Sequence, residues 1–182
     1  MFLKQKVRNK YTLIRKKKYF QVNQDFFKPL INLIYKNKKK KISLYYPSNF
    51  EVDTIELFKI LKKNKSISTM LPIISFNGDM KFIKWRPSEP LSVNRYGFLE
   101  PTSKKKNIYP DLLIIPLLAF DKFRNRLGYG KGYYDRYLAK HMKNRRYILT
   151  IGLAFSFQKY KKIPTSKHDV KLDYILTEKG IF

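Results

Sequence analysis

Leu112-Leu113-Ile114-Ile115, ten residues ahead of Asn125-Arg126-Leu127-Gly128-Tyr129-Gly130-Lys131-Gly132-Tyr133-Tyr134-Asp135, is the stretch on which the fold turns. Four consecutive apolar residues, two of them β-branched, read as a strand buried on both faces. The glycines that follow mark a loop, and residues 134–143 read as a helix. Strand, loop and helix in that order form the first half of a parallel crossover unit. Working outward, residues 147–153 read as a second buried strand and residues 174–176 as a short last one. Upstream, residues 3–20 read as a basic helix with Val7, Tyr11 and Ile14 on one face, and residues 26–35 as a second helix. Residues 38–41 are a lysine-rich solvated turn and 42–46 a compact strand. A loop over 47–53 leads to a helix running to residue 63, with Thr54 as its cap. Residues 69–74 form a strand, and Asn77-Gly78-Asp79 is a hairpin turn into a strand over 80–85. Residues 86–110 read as a polar, proline-bearing loop. Helices alternating with strands predict an α/β fold: one domain, with a mostly parallel central sheet flanked by helices on both faces. No internal repeat and no separating linker is visible. Ligands of such sheets sit beyond the carboxyl ends of the strands, so chemistry is expected in the loop after residue 115.

The chain has 182 residues, 43% of them apolar, enough to bury a substantial core. It contains no cysteine, which removes disulfides, thiolate catalysis and cysteine-ligated zinc. The basic start lacks an apolar run behind it, so no signal peptide is read. The longest apolar run, residues 112–120, is too short to span a bilayer and contains Pro116. A soluble cytoplasmic protein with no membrane partner is expected. The net charge of +27 first suggests nucleic acid. Yet 31 of the 40 cations are lysine and only 9 arginine, whereas specific phosphate and base recognition favours the planar arginine fork. Alanine occurs only three times, against an abundance of Lys, Asn, Ile, Tyr and Phe. That skew reads as compositional drift on exposed positions. No specific nucleic-acid partner is expected, although the charge would steer small anions inward.

Gly128, Gly130 and Gly132 alternate along the loop, letting backbone amides turn toward an anion without hindrance from Cβ. The helix that follows presents its positive end to the same place. Arg126 and Lys131 add mobile charge, and Asp135 offers a hard oxygen for the magnesium that travels with nucleotide phosphates. Generic templates fail here: Lys131 is followed by Gly132 rather than Ser or Thr, and the glycine spacing is one residue short of a dinucleotide fingerprint. From the residues alone, a triphosphate cradle and a loop that merely turns the chain are equally open.

The run Asp111-Leu-Leu-Ile-Ile-Pro116-Leu-Leu-Ala-Phe120-Asp121 with Asn125 through Asp135 resembles the signature of 5-formyltetrahydrofolate cyclo-ligases, also called methenyltetrahydrofolate synthetases. Leu117 stands where that family commonly has glycine. Lys4-Gln-Lys-Val-Arg8 is similar to the family's N-terminal element, and residues 42–46 followed by Glu51-Val-Asp-Thr54 to its substrate strand and loop. Leu99-Glu100-Pro101 resembles a further element, and Pro164 with His168-Asp169-Val-Lys-Leu-Asp173 the closing one. All occur in the family's order over nearly the whole chain.

The resemblance implies ATP-dependent closure of the 5-formyl group onto N10 through a phosphorylated formyl oxygen, yielding methenyltetrahydrofolate, ADP and phosphate. It assigns Lys131 and Arg126 to the reacting phosphate. Lys4, Arg8 and the loop Arg126, Leu127, Gly128, Tyr129, Gly130, Lys131, Gly132, Tyr133 and Tyr134 would hold ATP. Tyr46, Glu51, Tyr129, Gly130, Lys131, Gly132 and Tyr133 would bind the folate, with Glu51 on the pterin. Asp135 and Asp169 would hold magnesium. Read alone, Lys4 and Arg8 are two solvated cations, Glu51 a loop acid and Asp169 a turn residue. Trp85 reads as packing, His141 as a bystander, and His168 as a residue that orients the Asp169 loop. A monomer is expected. The competing class is a basic, ribosome-associated nucleic-acid binder; a different ATP-dependent kinase or ligase is a second alternative.

Overall fold

In the computed structural model, which describes residues 2–102, 106–142 and 147–182, the chain order is α1 (Phe2–Lys18), α2 (Lys28–Lys36), β1 (Lys41–Ser43), α3 (Ile55–Lys62), β2 (Ser68–Ile74), β3 (Met80–Lys84), β4 (Leu91–Val93), β5 (Leu99–Pro101), β6 (Leu112–Pro116), β7 (Ala119–Phe120), β8 (Arg126–Leu127), α4 (Tyr133–Met142), β9 (Leu149–Leu153), β10 (Tyr174–Thr177) and β11 (Gly180–Ile181). Seven strands share one sheet in the order β11-β10-β9-β6-β1-β2-β3. The five inner strands run parallel, and β3 and β11 close the two edges antiparallel. The fold is α/β with a mostly parallel sheet, as the alternation of elements predicts.

The alternation of side chains along β6 decides which helix lies on which face. Leu112 and Ile114 enter one core with Leu30 and Ile34 of α2 and Leu57, Phe58 and Leu61 of α3. Leu113 and Ile115 enter the other with Tyr137 and Leu138 of α4. Helices therefore cover both faces. A third, smaller cluster packs Val7 and Tyr11 of α1 on Leu118, Ala119 and Leu127 of the β7–β8 hairpin, and so fastens α1 beside the predicted loop.

Several local expectations are corrected. Helix α1 ends at Lys18 rather than residue 20, and its inner stripe is Val7, Tyr11 and Arg15, with Ile14 only half-buried. Lys41 lies in β1, which is three residues long and ends before Tyr45 and Tyr46. Thr54 stands at the N-cap of α3 as expected but makes no capping bond through its side chain: its hydroxyl donates to the Tyr45 carbonyl at 2.5 Å, and the Asp53 carboxylate takes the Ile55 amide at 2.8 Å instead. Strand β9 starts at Leu149, not 147. The region read as a plain loop over 86–110 contains the β4–β5 hairpin, turned by Asn94, whose side chain accepts from the Tyr96 and Phe98 amides, and by Gly97 at φ +80°. The expected end of α4, Lys143, lies outside the described residues. Trp85 packs, as read, edge-on to Phe58 at 4.9 Å and is 2% exposed.

Candidate functional site

Strand β1 is short, and Pro72 interrupts β2 where its pairing to β1 has already ended, so the missing amide costs no ladder bond on that side. Beyond these carboxyl ends the sheet opens into a cavity of about 330 Å³, at the lower bound of ordinary ligand pockets. Its walls bring together every residue named above as a candidate: Lys4, Arg8, Tyr46, Glu51, Arg126, Leu127, Gly128, Tyr129, Gly130, Lys131, Gly132, Tyr133, Tyr134, Asp135 and Asp169. They come from segments as far apart as residues 4 and 169.

The loop is held from below. Asp121, fully buried, accepts from the amides of Phe123 (2.9 Å), Asn125 (3.0 Å) and Ile163 (3.0 Å) and from the Asn125 side chain (3.0 Å). That closes the β7–β8 turn and launches the glycine run from a fixed point. Gly130 (φ +95°) and Gly132 (φ +66°) adopt conformations that residues with side chains rarely take; Gly128 does not. Arg8 Nε donates to the Gly128 carbonyl at 3.0 Å and Arg136 Nη1 to the Lys131 carbonyl at 2.8 Å, so the loop carbonyls are engaged. The first intrahelical bond of α4 runs from Arg136 to Gly132, leaving the amides of its first turn facing the same side.

Arg126 is buried and makes two strong bonds, to the Asp135 carboxylate (2.7 Å) and the Val170 carbonyl (2.6 Å). Asp135 Oδ1 also accepts from the Val170 amide at 3.0 Å. Lys4 Nζ meets Asp169 Oδ2 at 2.6 Å, and that same oxygen takes the Ser166 amide at 2.6 Å. Burial pulls the Asp169 carboxyl upward, but Lys4 and Ser166 outweigh it and hold it below the usual range. His168 is exposed beside it. Lys131 is exposed, its ammonium 5.6 Å from the Tyr96 ring centre.

Across the cavity, residues 48–51 make a tight turn in which Asn49 and Phe50 take left-handed conformations (φ +48° and +62°), an uncommon state for a bulky residue such as Phe. The turn points Glu51 inward, 6% exposed. Oε2 accepts from the Ser48 amide at 2.9 Å and its hydroxyl at 3.3 Å, while Tyr129 donates a short hydrogen bond to Oε1. Burial raises the Glu51 carboxyl above its ordinary range; burial and the Glu51 charge push Tyr129 well up. The folate-side and loop-side candidates are thus joined by one hydrogen bond.

Sequence reasoning gave no role to Pro72, Ile74, Met80, Asn94, Phe98 or Pro116, which line the same cavity. Leu99 and Glu100, quoted only as part of a motif, do so too, with Glu100 accepting from Asn94 at 2.9 Å. The Asn94-to-Gly97 spacing was the available signal for the hairpin that delivers them.

The family model described as the 5-formyltetrahydrofolate cyclo-ligase family matches residues 2–178. The chain belongs to the 5-formyltetrahydrofolate cyclo-ligase family. A 5-formyltetrahydrofolate cyclo-ligase of Haemophilus influenzae is 35% identical over 163 residues, covering 86% of this chain and 85% of that protein. One from Mycoplasma genitalium is 35% identical over 137 residues, covering 75% and 72%. The solved structure of the 5,10-methenyltetrahydrofolate synthetase of Aquifex aeolicus superposes with a TM-score of 0.74 at 29% identity, over 98% of this chain and 91% of that one. With membership comes the enzyme class, a cyclo-ligase acting in folate chemistry. Among the described residues, no helix is long and apolar enough to cross a membrane.

Proposed function

We propose that this cyclo-ligase couples ATP hydrolysis to conversion of 5-formyltetrahydrofolate into 5,10-methenyltetrahydrofolate, acting as a monomer. The observation that carries the reading is that the glycine loop, the cations and the buried Glu51 line one cavity. A formyl oxygen is a poor leaving group, so ring closure needs it converted into a good one. Transfer of the γ-phosphoryl group breaks the bridging P–O bond of ATP, forms a P–O bond to the formyl oxygen and frees ADP. N10 then attacks the formyl carbon, the C–O bond breaks, phosphate leaves with that oxygen and N10 loses its proton. Phosphoryl transfer of this kind asks the protein for alignment and charge neutralisation.

The loop amides of residues 128–134 and the start of α4 would take the phosphates, with Lys131 free to reach the transferring group. Arg8 and Lys4, one helical turn apart on α1, stand beside the loop, where Arg8 already donates to the Gly128 carbonyl. Arg126 is better suited to fixing Asp135 and the 169–170 segment than to moving with substrate, since its side chain is buried and both bonds tie it to the protein. Glu51 would accept from the amino and ring NH groups of the pterin, with Tyr46 and Tyr133 on its faces. Among the described residues no cluster of three metal-ligating side chains exists. Asp135 Oδ2 and Asp169 Oδ1 nevertheless lie outside the bonds that hold those side chains. Two carboxylates with a spare oxygen each fit magnesium, which keeps several waters and shares phosphate oxygens. These residues would hold it, and it would supply neutralising charge.

The test is to add 5-formyltetrahydrofolate and MgATP and to follow the near-ultraviolet absorbance of the methenyl product alongside ADP release. Turnover is expected, lowered at least 100-fold by Lys131→Ala or Asp135→Ala, in line with the loss of a transition-state charge contact. Tight, salt-resistant RNA binding with no folate turnover would overturn the proposal.

A further inference from the structure

Arg15 occupies the third position of the inner stripe of α1, after Val7 and Tyr11, and is 1% exposed, while its neighbours Lys16, Lys17 and Lys18 are exposed. Its fit is poor by the ordinary rules of burial. One guanidinium nitrogen, Nη1, reaches the Leu117 carbonyl at 3.4 Å, and Nε and Nη2 find no acceptor. No ion pair reaches it among the described residues. A buried cation with idle donors is costly where an apolar side chain of the same length would pack, so packing does not account for it.

What Arg15 does touch is the Tyr129 ring, whose centre lies 5.5 Å from the guanidinium carbon. The hydroxyl of that ring donates to Glu51 Oε1. Glu51 accepts from Tyr129 and Ser48; Tyr45, whose hydroxyl donates to the Val52 carbonyl, and Tyr134 are near enough to feel its charge, and Arg15 is a cation that acts on it. All the tyrosines are neutral at physiological pH, since burial raises each of them. The carboxylate is therefore buried beside neutral hydroxyls, with Arg15 as a cation that acts on it.

We infer that Arg15 is a positioning residue for Glu51: it is the buried counter-charge that, across the Tyr129 ring, keeps that carboxylate ionised and aimed into the cavity. Cation, aromatic ring, hydroxyl and carboxylate form one succession of contacts from α1 to the cavity wall. The ligand-facing consequence, stronger binding of an NH-rich heterocycle, rests on the pterin role proposed above for Glu51.

The experiment separates the two. Glu51 is titrated by carbon-13 NMR in ligand-free wild type, Arg15→Lys and Arg15→Met. The expected result is a Glu51 midpoint raised in Arg15→Met and largely restored in Arg15→Lys. In parallel, Arg15→Met at pH 7 weakens 5-formyltetrahydrofolate binding about tenfold and MgATP binding less than threefold. An unchanged Glu51 midpoint overturns the inference, as does an equal loss of both affinities. If Glu51→Gln binds folate normally while the midpoint moves, the pterin reading fails and the counter-charge role stands. Should Arg15→Met not fold, Arg15→Met with Glu51→Gln decides: recovery of folding supports the coupling, and none refutes it.

Discussion

Replacing Gly130 by alanine and Gly128 by alanine makes the same chemical change two residues apart in one loop, and the structure assigns them different costs. At Gly130 the backbone sits at φ +95°, beyond the left-handed region that L-residues visit at about 1–2 kcal/mol. An added Cβ would lie 3.1 Å from Arg8 Cζ, 3.3 Å from Nη2 and 3.4 Å from Nε. It would crowd the guanidinium that donates to the Gly128 carbonyl at 3.0 Å. The neighbour is a flexible side chain and can yield, so backbone strain is the larger share. Together they come to about 2 kcal/mol. At Gly128 φ is ordinary and a Cβ meets nothing within 4 Å. Gly132, at φ +66° with Arg136 Nη1 at 3.1 Å, falls between. Thermal unfolding of the ligand-free variants should lower Tm by roughly 4–8 °C for Gly130→Ala, less for Gly132→Ala, and negligibly for Gly128→Ala. Because strain falls on the amides proposed to bind phosphate, Gly130→Ala should also weaken MgATP by about tenfold or more, 1.4 kcal/mol being a factor of ten. Equal Tm values for Gly128→Ala and Gly130→Ala would refute the reasoning, since backbone conformation and the Arg8 contact are what separate the two positions.

Gly152→Ala in β9 would place a Cβ 2.6 Å from Leu117 Cδ2, 2.8 Å from Leu172 Cδ1 and 2.9 Å from Ile175 Cδ1; overpacking of this kind should cost about 2 kcal/mol and several degrees of Tm, read by thermal denaturation. Folate affinity should fall on acidification before the ordinary carboxylate value of 4.5 is reached, because burial raises Glu51 and protonation removes an acceptor; isothermal titration across pH should show this limb, flattened in Glu51→Gln. The same group acts oppositely on stability: its contribution is present below 4.5 and lost as pH rises through the raised folded value. Asp169 has the reverse sign, its contribution present above 3.8 and lost as pH falls through its depressed value, so Lys4→Ala should shrink that acid-side loss in a pH series of unfolding curves.

The sequence announced those features whose physics is local. Four apolar residues in succession made β6 legible as a doubly covered strand, and alternating glycines marked the loop. It also let the loop residues and most of the charged residues of the cavity be named, but only through motif order, because Lys4, Glu51 and Asp169 have nothing in their sequence neighbourhoods to tell them from other charges. What escaped was set by tertiary contacts. The three-residue strands β4 and β5 are too short to display a period, so the wall they build was invisible. Thr54 holds the cap position that its residue type suggests, but the Tyr45 carbonyl, nine residues upstream, decides where its hydroxyl goes. Arg15 was hidden by composition: one more cation in a lysine-rich helix, told apart only by its register with Val7 and Tyr11.

The charge of the whole chain and the charge of its cavity are different quantities. The chain carries +27, yet the cavity walls hold four cations, Lys4, Arg8, Arg126 and Lys131, against four carboxylates, Glu51, Glu100, Asp135 and Asp169. Formally it is balanced, and two of its cations already sit in ion pairs at 2.6 and 2.7 Å. A surface built to hold nucleic acid concentrates uncompensated cations where the ligand lies. Here the excess is spread outside the cavity, where it can accelerate the approach of anions without choosing among them. Selection inside must come from directed groups instead: the amides of the strained glycines, the first turn of α4, and a buried carboxylate opposite them. That division explains how a sequence can drift toward lysine over most of its surface and still keep one site whose lining holds positive and negative charges in equal number.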